Sequence, residues 1–133
     1  MQPAPPQPIT IKNLFDISKN PASLKWEFFR PGVKIHRLYG NQDSGPSAAL
    51  LWYEPGAGMP LHEHLGYEHI LILANTQSDE NGENDAGALI INPPGSAHTV
   101  SMSGGGVVLA IWERPVTFKE PLAASGVENL TTR

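Results

Sequence analysis

The sequence predicts an all-β domain, a sandwich or jelly roll of about eight short strands, and three observations carry that reading. Short apolar runs are separated by clusters of Gly, Pro, Asn and Asp. Little of the chain sustains the spacing of an amphipathic helix. A length of 133 residues with 40% hydrophobic content closes one core but not two.

The opening, residues 1–8, is Pro-rich and reads as an extended arm or disordered tail, because proline cannot enter a sheet interior. Residues 9–133 read as one domain. Its strands are expected at Lys25–Phe29, Val33–Tyr39, Ala48–Glu54, Leu61–His64, Glu68–Ala74, Ala88–Asn92, Thr99–Ser103 and Val107–Glu113. Turns fall at Arg30-Pro31-Gly32, Asn41–Pro46, Pro55–Gly58, Asp79–Gly87, Pro93-Pro94-Gly95 and Gly104-Gly105-Gly106. The runs Ile70–Leu73 and Val107–Trp112 are apolar on both faces, so both faces are expected to be covered, one as barrel interior and the other by a partner sheet or subunit.

Composition removes several function classes. Net charge is −4 with nine Lys and Arg, which leaves no basic stripe for nucleic acid. With no cysteine, disulfides, thiolate metal sites and a cysteine nucleophile are excluded, so any metal is held by nitrogen and oxygen. The N-terminus lacks the basic start and apolar core of a signal peptide, and no apolar run reaches membrane-spanning length. A cytoplasmic protein with no membrane partner is expected.

The chemistry lies in four residues. His62 and His64 are separated by one residue, a spacing that on a strand sends both imidazoles to one face, roughly 6 to 7 Å apart along the backbone. Gly66 permits a bend that returns the Glu68 carboxylate to the same centre. His98 follows the rigid turn Asn92-Pro93-Pro94-Gly95. Three imidazoles and a carboxylate from two segments suit one divalent transition metal such as Fe, Zn, Mn or Ni, with Co and Cu also compatible.

These residues resemble the two cupin motifs. Gly56, five residues, His62-Glu63-His64, three residues and Glu68 match the first, within 56–75. Gly87, five residues, Pro93, Gly95, two residues and His98 match the second, within 87–102. Asn75 and Met102 stand where the family often has glycine and asparagine. The resemblance implies a single-domain cupin double-stranded β-helix, a jelly-roll barrel, with His62, His64, Glu68 and His98 as metal ligands. In some cupins the carboxylate stands beside the metal instead of binding it, so Glu68 has two open roles, ligand or catalytic acid–base group.

Within cupins the chain is similar to the ChrR-type domain of zinc-binding anti-sigma factors. Trp26, Arg30-Pro31-Gly32-Val33, Pro55-Gly56, Ser78-Asp79-Glu80 and Asn92-Pro93-Pro94-Gly95-Ser96 carry that similarity over Lys25 to Phe118. Such factors place a helical sigma-binding domain before the cupin, and only about two dozen residues precede Trp26 here. The chain thus resembles the stand-alone members, whose relatives include metal-dependent dioxygenases acting on β-dicarbonyl compounds. Two functions follow from the resemblance. One is a metal-dependent enzyme, a dioxygenase, isomerase or lyase, acting on a small oxygen-chelating substrate. The other is a non-catalytic ligand-binding or sensing module. A homodimer is the expected assembly, as is common among cupins of this size.

Other candidates have plainer readings. Alternation turns His69 and Glu63 away from the ligand face, and His36 reads as structural. Asp79, Glu80, Glu83 and Asp85 fit no calcium loop and read as a solvated hairpin. Trp52, Tyr53, Met59, Tyr67, Met102 and Trp112 are candidates for either pocket wall or core.

Overall fold

Residues 3–119 are described by a computed structural model, and among them ten strands follow a short helix. The helix, α1, spans Leu14–Lys19 and is followed by one 3-10 turn at Pro21–Ser23. The strands are β1 (Glu27–Arg30), β2 (Val33–Tyr39), β3 (Ser47–Tyr53), β4 (Ala57–His64) and β5 (Glu68–Asp79). Then come β6 (Gly82–Asp85), β7 (Leu89–Asn92), β8 (Ala97–Met102), β9 (Gly106–Trp112) and β10 (Val116–Phe118). All pairings are antiparallel.

One sheet runs β1-β2-β3-β9-β5-β7; the other runs β10-β4-β8-β5-β6. Strand β5 belongs to both, its first half pairing with β9 and β7 and its last residues with β6 and β8. The changeover is a bulge between Ile72 and Ala74 that ends at Asn75, whose φ of 69° lies in the left-handed region. Asparagine tolerates that region far better than other non-glycine residues. Its amide also donates to the carbonyls of Gly104 and Gly105 at 3.1 and 3.2 Å. Asparagine therefore replaces the family's glycine here without disturbing the turn. Asn75→Ala is expected to cost about 1–2 kcal/mol in urea unfolding, and Asn75→Gly less.

The two sheets curl about one core that includes Val33, Ile35, Leu51, Ile70, Ile72, Met102 and Val108. Met102, at the family's asparagine position, is fully buried in it. Outside the first sheet, Leu50, Leu73 and Val107 form a second cluster under Leu14, Ile17, Leu24, Trp26 and Trp52. The outer face of the two apolar runs is thus covered in part by the chain's own N-terminal segment, where a partner sheet or subunit was expected. Leu14 and Ile17 share a face three residues apart, and Ser18 reaches the carbonyl of Leu73 at 3.4 Å. Further along the same face Leu89, Ile91 and Ile111 remain exposed.

Several strand bounds differ from expectation. β4 begins four residues earlier, at Ala57, and β5 runs on to Asp79. β8 begins at Ala97, which places His98 inside the strand. β6 and β10 were not expected, β10 because three residues after a proline carry too little pattern to read. Residues 3–8 are exposed and carry no helix or strand.

Candidate metal centre

Strand alternation does at β4 what the spacing requires. His62 and His64 are buried at 4% and 1% exposure, while Glu63 between them turns out to an ion pair with Lys119 at 3.2 Å. The bend to Glu68 is held by residue 113, whose backbone N–H donates to the Tyr67 carbonyl and whose carboxylate accepts from the Tyr67 N–H, both at 2.9 Å. Gly66 makes room for this: a Cβ there would meet Glu113 Oε1 at 2.9 Å. From the second motif, the N–H of Gly95 donates to the His64 carbonyl and the His64 N–H donates to Ser96, both at 2.8 Å. His98 then faces His62 across the β4–β8 pairing.

The three imidazoles form a near-equilateral triangle, with ring centroids 5.1, 4.7 and 4.8 Å apart. Each is held by its Nδ1 on a different acceptor. His62 donates to the Pro60 carbonyl at 2.9 Å. His98 donates to Asp79 Oδ2 at 2.9 Å. The Ser96 hydroxyl gives its only hydrogen to the Pro93 carbonyl at 2.6 Å, so at 2.9 Å it accepts from His64 Nδ1. All three rings therefore carry their proton on Nδ1 and turn a bare Nε2 inward.

Glu68 completes the set. Its Oε1 accepts from Asn92 at 2.9 Å and its Oε2 from the Trp112 indole at 2.7 Å. His64 Nε2 lies 3.0 Å from Glu68 Oε1 with no proton between them, and the Nε2 atoms of His64 and His98 are buried without a hydrogen-bond partner. Ligand atoms of His62, His64, Glu68 and His98 lie within 4.8 Å of one another. Lone pairs crowded together out of water repel unless a cation joins them, so the cluster fits a metal ion.

Five of the groups that hold the ligands were not foreseen in that role: Pro60, Asp79, Asn92, Ser96 and Trp112. Asp79 is a correction. Far from solvated, its side chain is 5% exposed and anchors His98, although the segment does form the expected β5–β6 hairpin. Ser78-Asp79-Glu80, part of the subfamily pattern, was the available signal. His69 faces outward as expected, and His36 packs on Trp26 and bonds the Lys25 carbonyl at 2.8 Å.

A cavity opens beside the cluster, about 370 Å³ including its mouth, lined by His62, Glu68 and His98 and mostly apolar side chains. Of the candidate wall residues, Tyr53, Met59 and Trp112 line it; Trp52 packs in the second cluster, Tyr67 is exposed and Met102 is core. β10 supplies Val116 and Phe118. Burial, with the Glu68 charge second, pushes the Tyr53 phenol up, so it stays protonated.

Acid acts on this site in one direction. Burial above all holds the His62 imidazole below its ordinary 6.5, against the Pro60 carbonyl and Glu68. Burial opposes ionisation of Glu68, yet the His64 ring beside it, which becomes a donor and a positive charge when it takes up a proton, the hydrogen bond from Trp112 and the charge His62 gains in the same way outweigh it, leaving its carboxyl below 4.5. Both groups bind protons more weakly folded than unfolded, so stability is full above about 6.5 and falls as pH drops through the histidine range. It falls further below 4.5. The metal-free protein is expected to lose thermal stability between pH 7 and 4, and loaded protein to release its ion over the same range. Metal content that stays constant down to about pH 4 contradicts a three-histidine site.

A family profile described as the ChrR cupin-like domain matches residues 15–117. The chain belongs to the ChrR cupin-like family. No curated protein matches it in sequence. Among solved structures, an acetylacetone dioxygenase from Acinetobacter johnsonii is similar at 11% identity and a TM-score of 0.68, covering 90% of this cupin and 82% of that chain. The Rhodobacter sphaeroides complex of SigE with the anti-sigma ChrR matches at 22% identity and a TM-score of 0.59, covering 80% and 70%. A cupin-like protein of unknown function from Ralstonia eutropha JMP134 matches at 22% identity and a TM-score of 0.56 over 62% of this cupin, which spans 55% of that chain's length. These likenesses establish the all-β cupin fold. Among the described residues no helix is long and apolar enough to cross a membrane.

Proposed function

We propose that this cupin is a metal-dependent enzyme that binds one divalent ion, Fe, Zn, Mn or Ni, through His62, His64, Glu68 and His98. The observation that carries the reading is the common tautomer of the three imidazoles, each proton committed to an outer acceptor, with the Nε2 atoms of His64 and His98 buried without a partner and all four donors clustered within 4.8 Å. When bound, such an ion supplies Lewis-acid polarisation of a chelating substrate and, if it is Fe(II), a route to dioxygen chemistry. Hydrogen bonds from Asn92 and Trp112 keep Glu68 ionised and oriented, which favours the ligand role over the acid–base role. The cavity walls exclude water and seat a small organic body beside the four donors. The substrate class is a small compound with two adjacent oxygen donors, such as a β-dicarbonyl, and the reaction a dioxygenase-type cleavage. Similarity to an acetylacetone dioxygenase supports this in fold only.

The test is direct. Protein loaded anaerobically with Fe(II) and mixed with acetylacetone is expected to gain a new absorption band that decays on admission of air, with dioxygen and diketone consumed in equal amounts. No band and no oxygen uptake count against the enzyme. Membership of the ChrR-like family favours one other reading, a ligand-binding or sensing module. A ligand that copurifies stoichiometrically and is never turned over would establish that instead. In either case the exposed row of Leu89, Ile91 and Ile111 is the face that a homodimer would cover.

A further inference from the structure

Two polar groups in the cavity are not used by the metal centre. Gln77 is 2% exposed and Tyr53 3%, and both line the cavity together with His62, Glu68 and His98. Neither side chain makes a hydrogen bond to any described residue. The other polar groups of the lining have protein partners: His62 has Pro60, His98 has Asp79, and Glu68 has Asn92 and Trp112. A carboxamide and a phenol that open on the cavity without a protein partner are left to bond whatever fills it, water or a ligand. Together they offer three hydrogens to donate and two oxygens that accept.

We propose that Tyr53 and Gln77 are the specificity-determining pair of this cavity, selecting small oxygen chelators that carry a third, uncharged hydroxyl or carbonyl oxygen. The inference rests on the metal-chelating reading of the site and adds what that reading leaves open, the far end of the ligand. Among the described residues no lysine or arginine lines the cavity, so a second negative charge away from the ion has no cationic lining group to balance it. Phe29, Leu51, Ile70, Val100 and Phe118 make the remaining wall apolar, which suits a short carbon frame between the chelating oxygens and the distal one. The enclosed space is small, so the frame is at most a single small ring or a chain of few carbons.

Kojic acid and allomaltol test this, because both chelate through the same hydroxyketone and differ by one distal hydroxyl. Titrated into Zn(II)-loaded wild type by calorimetry, kojic acid is expected to bind about tenfold more tightly or better. In Tyr53→Phe and Gln77→Met the preference should shrink toward one. Bound zinc should be unchanged and the ligand-free unfolding temperature equal or higher, since an orphaned polar group has been removed. Equal affinity for the two chelators in zinc-loaded wild type overturns the inference and leaves the metal reading standing. Substitutions that lower the ligand-free unfolding temperature by several degrees also overturn it, making the pair structural. Failure of wild type to retain zinc and bind either chelator overturns the metal reading, and this inference with it.

Discussion

His98→Ala is expected to reduce bound metal from about one ion per chain to less than roughly a tenth of that after dialysis. His98 is the one imidazole supplied by the second motif, and it faces His62 directly across the β4–β8 pairing. Loss of a group that merely orients a metal ligand costs about 10- to 100-fold in affinity, so loss of the ligand itself costs at least that. The substitution also strips Asp79 of its Nδ1–H donor while leaving its carboxylate enclosed. Metal-free His98→Ala should therefore be less stable than metal-free wild type by about 1–3 kcal/mol, the cost of a buried acceptor left unpaired. His36→Ala and His69→Ala are the controls, since neither ring joins the cluster. Elemental analysis of the dialysed proteins decides it. If His98→Ala keeps a full equivalent while folded, the ion sits elsewhere.

The four clustered side chains were legible in the sequence because their spacing resembles the two cupin motifs, and local geometry is consistent with it: alternation for His62 and His64, a glycine-permitted bend for Glu68, a proline turn before His98. The groups that hold them were not legible, and Asp79 shows why. From Glu68 to Ile72 the even-numbered residues of β5 point inward. Carried forward, that parity turns Gln77 and Asp79 outward. The bulge before Asn75 inserts a residue and reverses the parity, so Gln77 and Asp79 point in, one to the cavity and the other to His98. The only trace of the bulge in sequence was asparagine at a glycine position, a residue tolerant of positive φ. The helix α1 escaped for a different reason. Six residues make fewer than two turns, and only the cluster of Leu50, Leu73 and Val107 beneath it shows why Leu14 and Ile17 stand three apart.

Gly58→Ala is expected to damage stability and metal binding together, and this coupling is what separates it from an ordinary surface substitution. Gly58 sits opposite Ser101 in the β4–β8 pairing. A Cβ there would overlap the Val100 carbonyl oxygen and lie 3.1 Å from its carbon and 3.2 Å from Ser101 Cα. These are backbone atoms, which no rotamer change can move aside, so β4 and β8 must part or slip. Overpacking of a well-fitted interior costs typically about 1–3 kcal/mol, and a clash with backbone belongs at the upper end, about 3 kcal/mol. The same two strands carry His62 and His98, and the pairing already slips once between Met59 and His62 to bring those rings opposite each other. A shift of about half an ångström between them is enough to spoil a site whose donors must meet at one point, so metal affinity should fall by about tenfold or more. Gly104→Ala is the matched control: nothing lies within 4 Å of a Cβ there, and its effect should stay within about 0.5 kcal/mol. Chemical unfolding of the metal-free proteins and competition with a chelator for the bound ion give the two readouts. A Gly58→Ala protein that unfolds earlier yet holds metal as wild type does would mean that the close approach of β4 and β8 serves the barrel alone.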